Sequence, residues 1–348
     1  MIFKNNSTMR IASIILIPMA FVVWKGWETA HPQLPTATAT PAANIIYQSP
    51  DGGQSWDDIS NGLPADVQVN AVNTRQGAIY LGSRNGVLYY SNDQQPISWQ
   101  SEEIYDIFRQ AAGLFPKQPV TGIFPGQTYM YAAVYESGIF RKAPGSHFWE
   151  PASEGLNEIN INDIMEMPDG SLIICTHNGI FRSEKTGEWT PVFSKGWTSN
   201  LTQNGSTLIA FCEKGLLRSG DNGQHWEVVL PSKEIVYRVR EMEGKWVAIR
   251  QNDPQNAAIT PPMVQVSDDD GLTWAPLSEL LLPAPEVYDL QSANGYWFCT
   301  HAAGISRSSD GGNTWELVLA HPTGDPMKRF QIVVTDHSLL AVLKWEGC

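Results

Sequence analysis

Four stretches of the sequence carry an aspartate at a fixed spacing from a serine, a glycine and a tryptophan, in the order S-x-D-x-G-x-x-W. Carboxylates bind hard cations such as Ca²⁺, so a metal site is one chemistry that this pattern could support. A calcium loop, however, alternates its acidic residues and has a glutamate six residues after the glycine, and these stretches have neither feature. We therefore predict no metal and no cofactor, and interpret the pattern as a tight turn that the aspartate stabilises. The aspartates and tryptophans are Asp51 and Trp56, Asp221 and Trp226, Asp269 and Trp274, and Asp310 and Trp315.

A second chemistry to consider is acid and base catalysis by two carboxylates, as in glycoside hydrolases. Asp163 and Asp289 stand at the same position of two repeats of the chain, and Arg238 stands at that position of another. If the repeats surround a common axis, these side chains point toward it and are weak catalytic candidates. We favour the interpretation that the two acids hydrate a central channel and pair with Arg238 or Asn200.

The turns recur because the chain is built from repeats. Worn copies of the same pattern end at Trp99, Trp149 and Trp189, and the seven tryptophans are 43, 50, 40, 37, 48 and 41 residues apart. A period of about 40–50 residues is typical of propellers and solenoids. Residues 199–230 read as four short strands separated by Gly and Asn turns, which is the pattern of one propeller blade.

The two ends of the repeat region complete each other. Residues 329–345 carry only the patterns of a first and a second strand, whereas residues 44–59 carry only those of a third and a fourth strand. Pairing the N- and C-terminal strands would complete one blade and remove the open sheet edges. The sequence therefore predicts an all-β fold, a seven-bladed β-propeller closed by its terminal strands and preceded by an N-terminal hydrophobic helix.

The repeated pattern resembles the Asp-box, the bacterial neuraminidase repeat, which occurs in sialidase, sortilin-type and photosystem II assembly factor propellers. The resemblance implies a propeller whose boxes lie on the outer rim, away from any active site, so it indicates the fold much more than the chemistry. A sialidase also needs three arginines that bind a carboxylate, and the arginines of this chain do not stand in that family's motif context. We expect a protein without catalytic activity; the alternative is a sialidase-like or other glycoside hydrolase.

The N-terminal segment has a composition of its own. Residues 11–24 are apolar and follow Lys4 and Arg10, although they are few for a helix that crosses a hydrocarbon core of about 30 Å. We predict a signal peptide or membrane anchor over 1–28, a linker rich in Pro, Thr and Ala over 29–43, and the propeller over 44–348. The favoured location is the cell membrane, crossed once through 11–24, with the propeller outside the cytoplasm. The alternative is a secreted or periplasmic protein after signal cleavage.

The surface charge and one set of loops indicate the class of partner. A formal net charge of −13 repels phosphate backbones, so we predict no nucleic-acid partner. Loops at the end of the ring where the first strands begin carry polar and aromatic residues suited to a protein or glycan partner on the extracytoplasmic side. Insertions at 101–115, predicted to form an amphipathic helix, and at 251–262 lie at the same end. The candidate binding residues are Arg84, Tyr135, His177, Asn200, Arg250, His301 and Trp345.

Overall fold

The computed structural model describes residues 44–104, 118–184, 188–231, 236–250, 263–277 and 280–346. Their regular structure consists of β-strands, and no helix occurs in these ranges. Within them, no helix is long and apolar enough to span a bilayer. The helix predicted at 11–24 lies outside the described residues. The one predicted at 101–115 lies outside them from residue 105 onward, and its first residues belong to a strand instead.

Twenty-eight strands are described, and their bounds in chain order are as follows. They are β1 (Ile46–Ser49), β2 (Asp57–Asp58), β3 (Val69–Arg75), β4 (Ala78–Ser83), β5 (Val87–Asn92), β6 (Gln100–Glu103), β7 (Val120–Pro125), β8 (Met130–Val134), β9 (Gly138–Lys142) and β10 (Glu150–Pro151). They continue with β11 (Ile161–Glu166), β12 (Leu172–Thr176), β13 (Gly179–Ser183), β14 (Trp189–Phe193), β15 (Thr198–Asn204), β16 (Thr207–Cys212), β17 (Gly215–Ser219) and β18 (Glu227–Pro231). The last are β19 (Val236–Met242), β20 (Lys245–Arg250), β21 (Met263–Ser267), β22 (Ala275–Pro276), β23 (Val287–Ala293), β24 (Tyr296–His301), β25 (Gly304–Ser308), β26 (Glu316–Ala320), β27 (Lys328–Val334) and β28 (Leu339–Trp345).

Five separate antiparallel sheets of four strands each form blades around a central axis. We name them blade A (β7–β10), blade B (β11–β14), blade C (β15–β18), blade D (β19–β22) and blade E (β23–β26). The first strand of each blade contacts the first strand of the next, which places these strands innermost. Second strands such as β12 and β16 are buried along their whole length, because neighbouring sheets cover both of their faces. This explains why they read as short continuous apolar runs in the sequence.

The remaining eight strands form one continuous sheet, which we name the joined sheet. Its order is β2-β1-β28-β3-β4-β5-β6. The eighth strand, β27, pairs with β28 on the side opposite to β1. A parallel pairing of Lys344 with Val69 connects β28 to β3. The prediction of seven separate blades is therefore wrong: the structure has five separate blades, and the backbone pairing between β28 and β3 merges the rest into a single sheet.

The terminal strands close the ring, and this part of the sequence prediction is present in the structure. β1 pairs antiparallel with β28 from Ile46–Val342 to Ser49–Leu339, and Ile46, Leu340 and Val342 share one buried apolar cluster. The Gln48 side chain donates to the Asp93 carbonyl at 2.6 Å and to the Ser338 hydroxyl at 3.0 Å. The first strand of the described chain is thus held by residues from both halves of the joined sheet.

The four S-x-D-x-G-x-x-W stretches fold into the same turn, which we name the corner, between the third and fourth strands. In the corner of blade C, the Ser219 hydroxyl accepts from the Gly223 N–H at 2.8 Å and donates to the Asp221 carboxylate at 2.8 Å. Asp221 also accepts from the backbone N–H of His225 at 3.0 Å, and the Trp226 indole donates to the Gly223 carbonyl at 3.1 Å. The carboxylate oxygens of the aspartate therefore accept hydrogen bonds from within its own turn, so the role of this residue is structural.

The corners should make stability depend on pH in the acid range. Bonds from the Thr273 hydroxyl and N–H lower the pKa of Asp269 to about 2, and bonds from the Thr314 N–H and hydroxyl lower the pKa of Asp310 to about 2. An unfolded aspartate titrates near pH 3.9, so this contribution is complete above about pH 4 and is lost as the pH falls through about 2. We expect the free energy of unfolding to decrease over that window in urea titrations.

The control for this prediction is the double variant Asp269→Asn, Asp310→Asn. It keeps the shape of both side chains and removes both carboxyl titrations, so the decrease between pH 4 and pH 2 should become smaller than in the wild type. An identical decrease in both proteins would show that other groups cause the acid sensitivity.

Candidate functional site

A channel with a cavity of about 1000 Å³ runs along the axis of the ring, lined by the innermost strands. In most of these strands the pairing register shifts near the beginning, immediately before residues such as Asp163, Arg238 and Asp289. Such bulges re-aim a side chain, and here the residue after the bulge borders the channel. Asp163, Arg238 and Asn200 line the main cavity, while Asp289 lines a smaller space of about 190 Å³ beside it.

Asp163 is held by the backbone of the neighbouring blade. Its carboxylate accepts from the Asn200 N–H at 2.6 Å and from the Leu201 N–H at 3.4 Å. Burial raises the pKa of Asp163 to about 6, although these bonds and the positive charges of Arg238 and Lys344 act in the opposite direction. Asn200 adopts a left-handed backbone conformation, with φ of +57°, which directs its N–H toward this carboxylate.

Asp289 is paired with two arginines. One of its oxygens lies 2.8 Å from the Arg240 guanidinium and 3.8 Å from that of Arg238. Its other oxygen is buried and has no hydrogen-bond partner among the described residues. Both predicted acids therefore lie at the channel, each engaged by a neighbouring blade, and their catalytic role remains a prediction.

Two positively charged residues of the channel, Arg240 and Lys344, were not predicted from the sequence. Arg240 lies two residues after Arg238 on the same strand, so strand alternation places both side chains toward the same side. Lys344 borders the channel from β28, and burial together with the charge of Arg238 lowers its pKa. The position of Arg240 at the channel could have been predicted from the alternation of side chains along the strand. The position of Lys344 depends on the contact between β28 and β3, which no local sequence pattern shows.

The predicted binding residues lie at what we name the leading end, where the first strands begin. Arg84, Tyr135 and His177 follow the second strands of adjacent sheets and are exposed, with 48% of the Tyr135 surface accessible. Asn200 lies in the channel instead of on the rim. Trp345 is half-buried near the end of β28, opposite Lys328.

His301 is buried, so the prediction that it is a binding residue on the surface is wrong. Its side chain is 5% exposed, and its Nε2 lies 2.8 Å from the Ser306 hydroxyl. Burial lowers its pKa, because it disfavours the charged form of the imidazole. The turn between β24 and β25 is tight, and the imidazole folds back over the sheet. The side chain of Arg250 and the insertion at 251–262 lie outside what the structure describes.

Three of the four cysteines of the chain lie within the described residues, and all three are thiols. Cys175, Cys212 and Cys299 are free and buried, while Cys348 lies outside the described residues. Burial raises the pKa of Cys175 well above its usual value, and the adjacent Asp163 raises it further. Within the described ranges, no three His, Cys, Asp or Glu side chains are arranged to hold a metal ion.

Two more cavities lie at the opposite end of the ring, which we name the corner end. The tyrosine pocket, of about 400 Å³, lies between the joined sheet and blade A, and its walls include Tyr80, Tyr90 and Trp149. The acidic groove, of about 1220 Å³, lies between blades A and B. Its charged residues are Glu154, Glu166, Asp169, Glu184 and Glu188, with Arg141 stacked over Tyr129 at 4.9 Å.

Both cavities adjoin the channel. Arg75 and Gln76 border the tyrosine pocket as well as the channel cavity, and Gln127 and Glu166 border the acidic groove as well as the channel cavity. The three cavities therefore lie next to one another, from the axis of the ring to both sides of blade A. Both flanking cavities adjoin worn copies of the S-x-D-x-G-x-x-W pattern, at residues 142–149 and 183–189.

Comparisons with known proteins identify the fold. No protein-family model and no curated protein matches the sequence. The structure is similar to that of YCF48 from Cyanidioschyzon merolae, with a TM-score of 0.57 and 12% identity over 86% of this chain and 98% of that one. It is also similar to YCF48 bound to D1 peptide, with a TM-score of 0.58 and 17% identity over 81% and 95% of the two chains. A catalytically inactive variant of virginiamycin B lyase from Staphylococcus aureus, solved with quinupristin, gives 0.58 and 12% identity over 80% and 95%. At these identities the likeness shows a β-propeller and nothing more.

Proposed function

We propose that this chain is a non-catalytic, protein-binding propeller that binds a segment of a partner protein across its corner end. The observation that carries the proposal is the set of three adjoining cavities, namely the channel, the tyrosine pocket and the acidic groove. Surfaces of this kind suit an extended ligand with several anchor points, because each cavity accepts one part of it. YCF48 has the same fold and has been solved with a peptide, which supports a protein segment as ligand.

The state of the channel acids supports binding over catalysis. Asp289 is already paired with Arg240, and Asp163 already accepts two backbone hydrogen bonds. A glycoside hydrolase of the usual kind needs one carboxyl group to protonate the leaving oxygen and another to activate water or attack the sugar. Turnover of a fluorogenic glycoside panel by the purified protein, lost in Asp163→Asn and Asp289→Asn, would overturn the binding proposal.

The remaining sequence predictions complete the proposal. We propose that the corners are Asp-boxes, on the basis of their shared hydrogen bonds, and that residues 11–24 export the chain and tether it to the membrane. The partner then lies on the extracytoplasmic side. The linker at 29–43 would hold the propeller away from the bilayer.

The proposed surface can be tested with a photo-reactive amino acid placed at Gln76 or at Gln127 in the full-length protein. Asn294 is the matched control for Gln76, because both are exposed and occupy the first hairpin turn of their sheet with similar positive φ. We expect Gln76 and Gln127 to crosslink to one protein, at one segment of its sequence, and Asn294 to give no such adduct. The same adducts from Asn294, or none from any site, would contradict the proposal.

A further inference from the structure

The intact corners seal the gaps between neighbouring sheets. In three of the four intact corners, the glycine packs against the second strand of the preceding sheet, so closely that a side chain would not fit; these glycines are Gly53, Gly223 and Gly271. The fourth, Gly312, packs against Leu280 instead. A Cβ on Gly223 would lie 2.2 Å from the Ile173 side chain, and one on Gly271 would lie 2.8 Å from that of Ile209. The glycine N–H is fixed by the corner serine, at 2.8 Å in blade C. Serine and glycine together therefore hold the corner against its neighbour.

The corner of blade A has lost the residues that do this. Aligned on Trp149, it has Lys142 in place of the serine, Pro144 in place of the aspartate and Ser146 in place of the glycine. The Ser146 N–H donates to the Ala143 carbonyl at 3.0 Å, a bond that none of the intact corners uses at this position. The gap in front of this corner stays open, and it is the tyrosine pocket.

The residue facing the open gap is an aromatic one. Tyr80 pairs with Tyr90 across β4 and β5, in the register in which Ile173 pairs with Arg182 in blade B. Tyr80 therefore occupies the position against which a corner glycine would otherwise pack. The two tyrosine rings lie 6.5 Å apart and are inclined by 27°, so they form a stacked pair in the wall of the pocket.

The other walls add apolar surface and a satisfied ion pair. Met130 and Trp149 face the same cavity. Glu102 accepts from the Trp149 indole at 3.1 Å and from the Lys142 ammonium at 2.5 Å, so its negative charge is already engaged. Next to the pocket, Phe148 is 68% exposed, which is unusual for a phenylalanine and typical of an interaction surface.

Charge and volume define the ligand. Arg75 and Lys142 border the pocket, and Lys142 is paired with Glu102, the one acidic wall residue among the described residues. The Arg75 guanidinium donates to the neutral Gln127 carbonyl, so its positive charge is not balanced by that bond, in contrast to the net charge of −13 of the whole chain. A cavity of about 400 Å³ is at the lower end of the range for ligand pockets, about 300–1,000 Å³, and large enough for one aromatic side chain.

We propose that the tyrosine pocket binds an aromatic side chain carried on an acidic segment of the partner protein. The aromatic ring packs against the Tyr80–Tyr90 pair, in the offset or edge-to-face geometry that aromatic pairs prefer. Acidic residues beside it lie near Arg75, which directs this part of the segment to the tyrosine pocket, while another part lies along the acidic groove. The proposal rests on the proposed function and assigns one anchor point of that surface.

The test uses a blocked pentapeptide probe with one tyrosine between two pairs of aspartates, titrated into the full-length protein. The protein carries 3-fluorotyrosine, and the ¹⁹F resonances of Tyr80 and Tyr90 are assigned from the variants Tyr80→Phe and Tyr90→Phe. We expect the probe to shift these two resonances. Replacing the tyrosine of the probe by alanine should weaken binding by roughly 30-fold, the effect of losing an interface hot spot.

The decisive variant restores the corner: Lys142→Ser, Pro144→Asp, Ser146→Gly. It should close the gap as in the intact corners, keep the fold, and abolish binding of the probe. Tyr80→Ala is the second variant and should weaken binding to a similar degree, whereas Tyr135→Ala, at the leading end, should bind as the wild type does. Unchanged binding in the restored-corner variant, equal affinity for the alanine probe, or shifts confined to other tyrosines would overturn the proposal.

The outcome for the pocket can be separated from that for the proposed function. If the probe fails while Gln127 still crosslinks to one segment of a single protein, the surface binds its partner without this anchor. If both experiments fail, the proposed function fails with it.

Discussion

Removal of residues 1–58 is expected to leave a chain that aggregates and shows no cooperative thermal unfolding, whereas removal of residues 1–43 leaves the melting transition unchanged. The longer deletion takes away β1 and β2, and with them the pairing that closes the ring. Ile46 is fully buried, which by itself corresponds to about 1.5–3 kcal/mol. β28 would also expose a long apolar edge, and such edges pair with other chains. Against a total stability of about 5–15 kcal/mol, this combined loss is decisive.

Gel filtration and circular dichroism on the two shortened chains measure this effect. The shorter deletion is the control, because it removes only residues that precede the first described strand. A monomeric chain that begins at Ile59 and unfolds at the same temperature as the control would show that the ring does not depend on its terminal strands.

The second large effect is expected for Gly304→Ala, at the turn between β24 and β25. Gly304 has φ of +137°, a conformation open almost only to glycine, and a Cβ there would lie 2.0 Å from the Leu319 carbonyl oxygen of β26. Backbone atoms cannot move aside as a flexible side chain can, so β25 and β26 would have to separate. We expect the free energy of unfolding to fall by about 3 kcal/mol or more.

Gly311→Ala is the matched control for that substitution. Gly311 also has a positive φ, of +69°, but a Cβ there would meet no atom within 4 Å. Only the left-handed conformation then costs free energy, about 1–2 kcal/mol. Urea unfolding of the two variants should therefore differ by at least about 1 kcal/mol, with Gly304→Ala the less stable. Equal destabilisation would mean that the clash with β26 is relieved without cost.

The sequence predicts the architecture well because the information is local and repeated. The spacing of the tryptophans indicates a propeller, and the incomplete patterns at residues 44–59 and 329–345 indicate the closure that β1 and β28 form. The number of separate blades could not be predicted, because the pairing of Lys344 with Val69 joins residues distant in the chain and leaves no periodic signal.

The candidate site was predicted only in part, for reasons that can be named. Asp163 and Arg238 are found at the channel because repeat alignment locates the innermost strands. His301 was placed on a surface because its neighbours in sequence are turn residues, although a bond to Ser306 holds it inside. The tyrosine pocket was missed although the worn copy at residues 142–149 was recognised, because the sequence does not show that the space in front of that corner stays unfilled.

The closure has a consequence for biosynthesis. Among the described strands, β1 is the first to leave the ribosome and its partner β28 is the last. Until β28 emerges, one side of β1 has backbone hydrogen-bonding groups without a partner, and the apolar surface that Ile46 later covers stays exposed to water. We expect the nascent chain to rely on chaperones during this interval, because unpaired strand edges and exposed apolar surface favour aggregation.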